Sequence, residues 1–341
     1  MSVGSNQPVV TSIWPEAGGI IQVKVPLPFS LKWVNSYLLQ DERGYAVVDP
    51  GLHTPEAVQA WEEALDVHGI AFEAIHTIVL THQHPDHYGL AGWFQEKTGG
   101  APVYISEASY AYTQRLWGSD AGAAFTKDLT ALYEAHGMPR QVLDGIAPHL
   151  ESFIAKVSPQ PKVTFLEAGQ TFEMGGISWQ TIDTPGHAKG QLCFYAQAEK
   201  RMLCGDQVLP DITPNISVVP VDGEDQLQQF MDSLENLRSY EVELAFPGHR
   251  DPFDNYQERI SQLIAHHERR LAHMYSLIQA GANTGYTLCM QLFGERIAGN
   301  THNLRFAMSE TLAHLFHLEK SGRIVRSMHE ANVYFTIPAA D

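Results

Sequence analysis

Residues 81–89 read THQHPDHYG, which puts His82, His84, Asp86 and His87 within six positions. The chain has 17 histidines, so some clustering is expected, and the His266–His267 pair is read as that background. The pattern His-x-His-x-Asp-His is denser. Imidazoles and carboxylates are the ligands of borderline divalent cations, and a short turn that carries several of them suits a metal site. The preceding AIHTIVL (74–80) is apolar and β-branched, as a buried strand is. The following HYGLAGWFQEKTG spaces Leu90, Trp93 and Phe94 as a helix does and ends at Gly99–Gly100. The cluster thus falls where a strand gives way to a helix. Pro85 stops the strand and stiffens the turn. Asp86 is placed to be an N-terminal cap or a ligand.

One turn is too small to close a two-metal site, so further donors are expected at other strand ends. Three candidates follow apolar strands: SWQTIDTPGH ends in His187, RMLCGD in Asp206 and VELAFPGH in His249. Proline and glycine make a sharp turn that aims the next imidazole back over a sheet edge. Asp206, after a hydrophobic strand, would be costly to bury without a cation or hydrogen-bond partners.

With THQHPDHYG, TPGH, LCGD and FPGH in this order, the chain resembles the metallo-β-lactamase superfamily over roughly residues 18–253. The resemblance implies an α/β fold, a four-layer αβ/βα sandwich with a metal site at one edge between two sheets. It implies that His82, His84 and His187 hold a first metal, that Asp86, His87 and His249 hold a second, and that Asp206 bridges both. It also points to a subgroup with a C-terminal module.

The donor chemistry agrees. Five imidazoles and two carboxylates suit two divalent ions, zinc first, with iron or manganese tolerated. Such a pair can lower the pKa of a shared water toward neutrality and polarise a carbonyl or phosphoryl oxygen. Asp206 and Asp86 are the expected catalytic carboxylates, Asp86 orienting the nucleophile or moving its proton. His53, after DPGL, is a candidate to support the site from behind, whereas His314 and His317 are expected to pack or face solvent.

The elements that must position these residues alternate. IIQVKV, NSYLLQ and YAVVDPG read as strands, TPEAVQAWEEALDVHG as a helix capped by Thr54 and stopped by Gly69, and APVYIS as a short strand. Residues 106–158 read as a helical insertion within a catalytic domain spanning 1–253. Strand signals return at KVTFLEAG, TFEMGGISWQTID, QLCFYAQ and RMLCGDQVL, and a helix at EDQLQQFMDSLENLRS precedes VELAF. From 254 to 341 the texture is helical, with Ile260, Leu263, Ile264, Leu271, Tyr275 and Ile278 on one stripe. RIVRS and NVYFTI then suggest a hairpin, so this module is expected to be winged-helix-like.

Composition narrows the partners. The formal net charge is −17. Residues 1–260 carry 15 Lys and Arg against 33 Asp and Glu, and residues 261–341 carry 7 against 6. An acidic body repels polyanions, which counts against nucleic acid. No run of about 18 apolar residues suggests a membrane span. The start lacks the basic head and apolar run of a signal peptide, which points to the cytoplasm. Cys193, Cys204 and Cys289 are too few and odd in number for a disulfide framework, and are read as small buried residues. A homo-oligomer is left open.

The expected activity is hydrolysis of a small ester, thioester or lactone. The helical insertion would give an apolar pocket wall, with PLPFSLKWVN opposite and Trp33 and Tyr110 as candidate pocket residues. Alternatives are a ribonuclease or phosphodiesterase, a β-lactamase, a glyoxalase-type thioesterase, and a non-catalytic metal-dependent binding or regulatory protein. Relatives commonly have Ser-Pro-Gly after the equivalent of His187; here the chain reads AKGQ. Lys189 therefore either binds an anionic group of the substrate or points to solvent. The same two options hold for Arg250, where a glycine is frequent.

Overall fold

The computed structural model of the chain describes residues 10–14, 19–220 and 222–339. One sheet runs in chain order: β1 (Val10–Trp14), β2 (Ile20–Pro26), β3 (Trp33–Asp41), β4 (Gly44–Val48), β5 (Ile75–Val79), β6 (Val103–Ser106) and β7 (Val163–Leu166). β1 to β4 pair antiparallel, and β4 to β7 pair parallel. Parallel neighbours need crossovers. α1 (Pro55–His68) links β4 to β5, while α2 (Pro85–Tyr88) and α3 (Ala91–Lys97) link β5 to β6. Thr54 caps α1 by accepting from the Ala57 N–H at 3.1 Å, and Gly69 ends it in the left-handed conformation. The crossover from β6 to β7 is the expected helical insertion: α4 (Glu107–Trp117), α5 (Ser119–Ala135), α6 (Arg140–Leu143) and α7 (Ile146–Glu151).

The second sheet has the order β12-β11-β10-β9-β8. Its strands are β8 (Thr171–Met174), β9 (Ile177–Asp183), β10 (Leu192–Ala196), β11 (Arg201–Gly205) and β12 (Leu244–Pro247), with α8 (Gln226–Leu237) joining the parallel pair β11 and β12. TFEMGGISWQTID, which reads as one strand signal, is a hairpin. Gly175 and Gly176 both take positive φ, so a two-residue turn folds β8 onto β9. The chain ends in α9 (Tyr256–Gln279), α10 (Gly285–Phe293), α11 (Thr301–Lys320) and the hairpin of β13 (Val325–His329) and β14 (Asn332–Thr336). Among the described residues no helix is long and apolar enough to cross a membrane.

The side-chain period of two sorts the strands into layers. Along β3 and β4, Tyr37, Leu39, Ala46 and Val48 face the second sheet, whereas Leu38 and Val47 face α1 and α3. Along β10 and β11, Phe194 and Leu203 face the first sheet, whereas Cys193, Cys204 and Met202 face the outer helices. Strands buried on both faces read as continuous apolar runs, as these do. The result is the four-layer αβ/βα sandwich. Trp179, Phe194 and Phe246 fill the space between the sheets, each fully buried. Truncating any of them to alanine should cost about 3–5 kcal/mol. The insertion, α8 and the C-terminal helices share one further core on the outer face of the second sheet, which includes Tyr133, Phe230, Met274, Met308 and Leu312.

Candidate metal centre

Four segments leave the C-terminal ends of β5, β9, β11 and β12 at one edge of the sandwich. They bring together the donors singled out above. His82, His84 and His187 offer ligand atoms within 4.8 Å of one another, as do Asp86, His87 and His249. Asp206 lies between the two groups, its Oδ1 3.4 Å from His87 Nε2 and its Oδ2 3.6 Å from His187 Nε2 and 3.4 Å from His249 Nε2. His249 Nε2 is also 3.3 Å from Asp86 Oδ2. Asp86 makes no capping bond in α2; its carboxylate turns to the cluster instead.

The Pro-Gly-His turns work by close approach. A Cβ on Gly248 would lie 2.2 Å from Asp206 Oδ1 and 2.6 Å from His87 Cε1. Only glycine lets the β12 turn pass that close to the carboxylate. The peptide is fixed there by Gly248 N–H donating to Gly205 O and by Asn35 N–H donating to Gly248 O, both at 2.7 Å.

Four of the five imidazoles are held from behind, and His84 instead meets His82 Nε2 through its Nδ1 at 3.0 Å. His187 Nδ1 donates to the Asn215 carbonyl at 2.9 Å and His249 Nδ1 to the Trp33 carbonyl at 3.0 Å. His87 Nδ1 donates to Asp49 Oδ2 at 2.8 Å. His82 Nδ1 donates to Thr81 Oγ1 at 2.9 Å, whose own hydroxyl donates to Asp49 Oδ2 at 2.7 Å. The Thr81 N–H donates to Asp49 Oδ1 at 2.8 Å. Asp49 with His82 and His87 forms a third possible ligand group. Both Asp49 oxygens accept from donors, so we read it as a support for the two imidazoles rather than as a ligand. Its role is to fix the tautomers that leave both Nε2 atoms facing inward.

The field at the centre calls for positive charge. Burial would raise the Asp86 and Asp206 carboxyls, but the adjoining imidazoles outweigh it and hold both below the usual carboxylate range. Burial opposes charge on His87 and His249, yet Asp206 leads the carboxylates that raise both, His249 to about 10. Burial depresses His82, His84 and His187, His84 to about 3. The buried atoms His87 Nε2, His187 Nε2 and Asp206 Oδ1 have no hydrogen-bond partner. All three point into the cluster, where a cation would satisfy them together. The donor set therefore fits divalent metal ions.

A cavity of about 290 Å³ opens from this edge. His84, Asp86, His187, Asp206 and His249 form its floor. Tyr112, Trp117, Phe125 and Leu129 of the insertion form one wall, and Arg305 and Phe306 of α11 another.

The metallo-beta-lactamase superfamily profile matches residues 34–249, more than half of the chain, and a profile for the metallo-beta-lactamase-like C-terminal domain matches residues 271–336. The chain belongs to the metallo-β-lactamase superfamily. A crystal structure of a metallo-beta-lactamase family protein from Thermus thermophilus is 32% identical over 94% of this chain and 98% of that one, with a TM-score of 0.81. A beta-lactamase domain protein from Burkholderia ambifaria shares the fold at a TM-score of 0.83 and 24% identity, covering 98% of this chain and 97% of that one. A Bacillus subtilis (strain 168) protein named "Probable metallo-hydrolase YqjP" is 27% identical over 93% of this chain and 97% of its own length. An Aspergillus fumigatus protein named "Atrochrysone carboxyl ACP thioesterase" is 25% identical over 72% of this chain; the match spans 59% of that relative's length.

Some side chains of this superfamily member stand elsewhere than the sequence suggests. Tyr110 does not line the cavity; it packs against Phe165 with ring centroids 5.9 Å apart. Two positions along a helix lie on opposite faces, so Tyr112 takes the cavity wall instead. Trp33 is absent from the lining as well. Lys24 sits over its ring at 4.8 Å, and only its carbonyl serves the site. Lys189 lines the cavity, where Glu224 pairs with it at 2.7 Å. Arg250 takes φ 73°, the conformation that glycine adopts without cost, and lies outside the cavity. The His53 ring turns to the Ser158 carbonyl, away from the cluster. His314 is fully buried among the C-terminal helices, and His317 meets Asp225 at 3.2 Å. One usable sign of Asp49 stands in the sequence: an aspartate that ends the apolar run YAVV must find partners. Nothing in the sequence marks Asn215, which serves His187 through its backbone.

Proposed function

We propose that this hydrolytic enzyme cleaves a small acyl thioester or ester at a pair of zinc ions. His82, His84 and His187 would hold one ion, Asp86, His87 and His249 the other, and Asp206 would stand between them. When bound, the two ions supply a water acidic enough to ionise near neutral pH and a Lewis acid for the substrate carbonyl. The protein does the rest. Asp49 keeps a proton on Nδ1 of His87 and, through Thr81, on Nδ1 of His82. Asp86, on the cavity floor, orients the attacking water and takes its proton at Oδ2. Phe125, Trp117 and Phe306 exclude bulk water and hold an apolar acyl group.

One observation carries this reading: an apolar-walled cavity opens directly onto the buried donor cluster. Among the described residues the lining holds two full cations, Lys189 and Arg305, too few to follow the repeated charges of a phosphodiester backbone. The thioesterase named among the relatives supports the same bond type. The C-terminal helices and hairpin follow the order of a winged helix, but α11 lines the cavity, so we assign this module to substrate binding rather than to nucleic acid. The test is a panel of acyl thioester, ester, lactone, phosphodiester and β-lactam substrates with the zinc-loaded protein. The acyl thioester or ester should give the highest kcat/KM. A phosphodiester or β-lactam at the head of the panel would replace this reading.

A further inference from the structure

Among the described residues two full cations line the cavity, Lys189 and Arg305. Lys189 is already neutralised. It pairs with Glu224 at 2.7 Å and lies 3.9 Å from Asp222, which Arg115 also holds at 2.5 Å. Arg305 differs. Among the described residues no carboxylate lies within 4.0 Å of its guanidinium, and its buried Nε has no acceptor. The Phe306 ring stands 4.1 Å from its Cζ, which accounts for one face of the plane but leaves the N–H edge unused. Leaving a desolvated guanidinium without an anion is expensive, and a fold that needed only packing there would do better with an apolar side chain.

The neighbours offer no counter-ion. Burial, with Arg305's charge next, depresses His302 and His149 to about 4, so both rings are neutral at physiological pH. Tyr112 and Tyr133 are held above their ordinary range by burial and are neutral too. The same stretch of α11 borders the cavity that has the metal edge as its floor, with His302, Arg305 and Asp86 in one lining. A chain of net charge −17 would otherwise repel an anion, so a cation held free inside the cavity has a selective use.

We infer that Arg305 is the anion-binding group of the substrate cavity, and that the substrate carries a carboxylate or phosphate set apart from the scissile bond by an apolar segment. This rests on the hydrolase reading above and narrows its substrate class. A guanidinium edge matches both oxyanions by parallel N–H donation.

Two measurements test it. The first compares kcat/KM for a hexanoyl thioester, the adipoyl monothioester of the same thiol, and a hexanoyl thioester of a phosphate-bearing thiol. At least one anionic substrate should exceed the neutral one by about tenfold or more. Arg305→Met should abolish that preference, the anionic substrate losing far more than the neutral one, and Arg305→Lys should keep part of it. The anionic substrate that responds tells carboxylate from phosphate. No preference in the wild type, or an equal fall for charged and neutral substrates in Arg305→Met, would overturn the inference. The second needs no turnover: calorimetric binding of hexanesulfonate and of hexanol to the zinc-loaded protein. Sulfonate binding should weaken about tenfold or more in Arg305→Met, with hexanol losing far less. Unchanged sulfonate binding overturns the inference. Lost sulfonate binding together with no thioester or ester turnover upholds the anion site and removes the proposed reaction instead. Should Arg305→Met not fold, Arg305→Lys and the wild-type contrast of sulfonate with hexanol decide.

Discussion

At the metal edge the donors sit just beyond strand ends or, for Asp86 and His87, in the short helix α2 that follows one, whereas the cavity they face is walled largely by helices from distant parts of the chain. Four of the edge imidazoles are fixed by hydrogen bonds from behind: Asp49 behind His87 and, through Thr81, His82, the Asn215 carbonyl behind His187, the Trp33 carbonyl behind His249. The walls are fixed by packing. Tyr112 and Phe125 come from the insertion and Phe306 from α11, on a core shared with the second sheet. The contrast separates two tasks. Ligand geometry tolerates little change and needs specific atoms. A wall needs volume and an apolar surface, so it can be altered while the chemistry stays.

Substitutions at the edge and in the walls should therefore fail in different ways. The largest effect is expected for Asp206→Ala, which removes the carboxylate between the two donor groups. It should lower kcat/KM more than a hundredfold, above the range for residues that merely support ligands, with metal content falling in parallel. Asp49→Asn comes next. Its amide can still accept from Thr81 but would oppose one N–H to another at His87 Nδ1. A loss of about 10–100-fold in metal affinity, read by competition with a chelator, is expected. If Asp49→Asn binds metal as the wild type does, the hydrogen-bonded edge is less exacting than the contrast requires.

Wall substitutions should leave metal content intact. Phe306→Ala should raise KM for an apolar acyl substrate by about tenfold with kcat little changed. A drop in metal content instead would show that the walls also hold the edge in shape. The smallest effect is expected for Tyr110→Phe, since its ring faces Phe165 and not the cavity. Its kcat/KM should stay within about twofold of the wild type.

The same contrast explains what could be read from the sequence. That His82, His84, Asp86, His87, His187, Asp206 and His249 meet at one edge was legible because ligand chemistry restricts residue type, and because strand-end turns leave Pro and Gly marks beside them. The sheets were legible as apolar runs, apart from edge strand β1, in which no residue is fully buried, and the Gly175–Gly176 turn hidden inside another. Asp49 was harder, since Asp-Pro-Gly after a strand is also an ordinary turn. The walls were legible as segments, the helical insertion and the PLPFSLKWVN loop, whose Phe29, Ser30 and Leu31 line the cavity, but not residue by residue. Periodicity shows that Tyr110 and Tyr112 lie on opposite faces but not which face meets the cavity. Nor does the apolar stripe of α11 tell that its flank carries Arg305 into the cavity. Those facts depend on contacts between residues far apart in the chain.

The most direct test of the central claim is metal stoichiometry by equilibrium dialysis against zinc, followed by elemental analysis of the wild type. If the strand ends hold a pair of cations, binding should saturate at about two ions per chain. Saturation at one ion, or at none, would contradict the account.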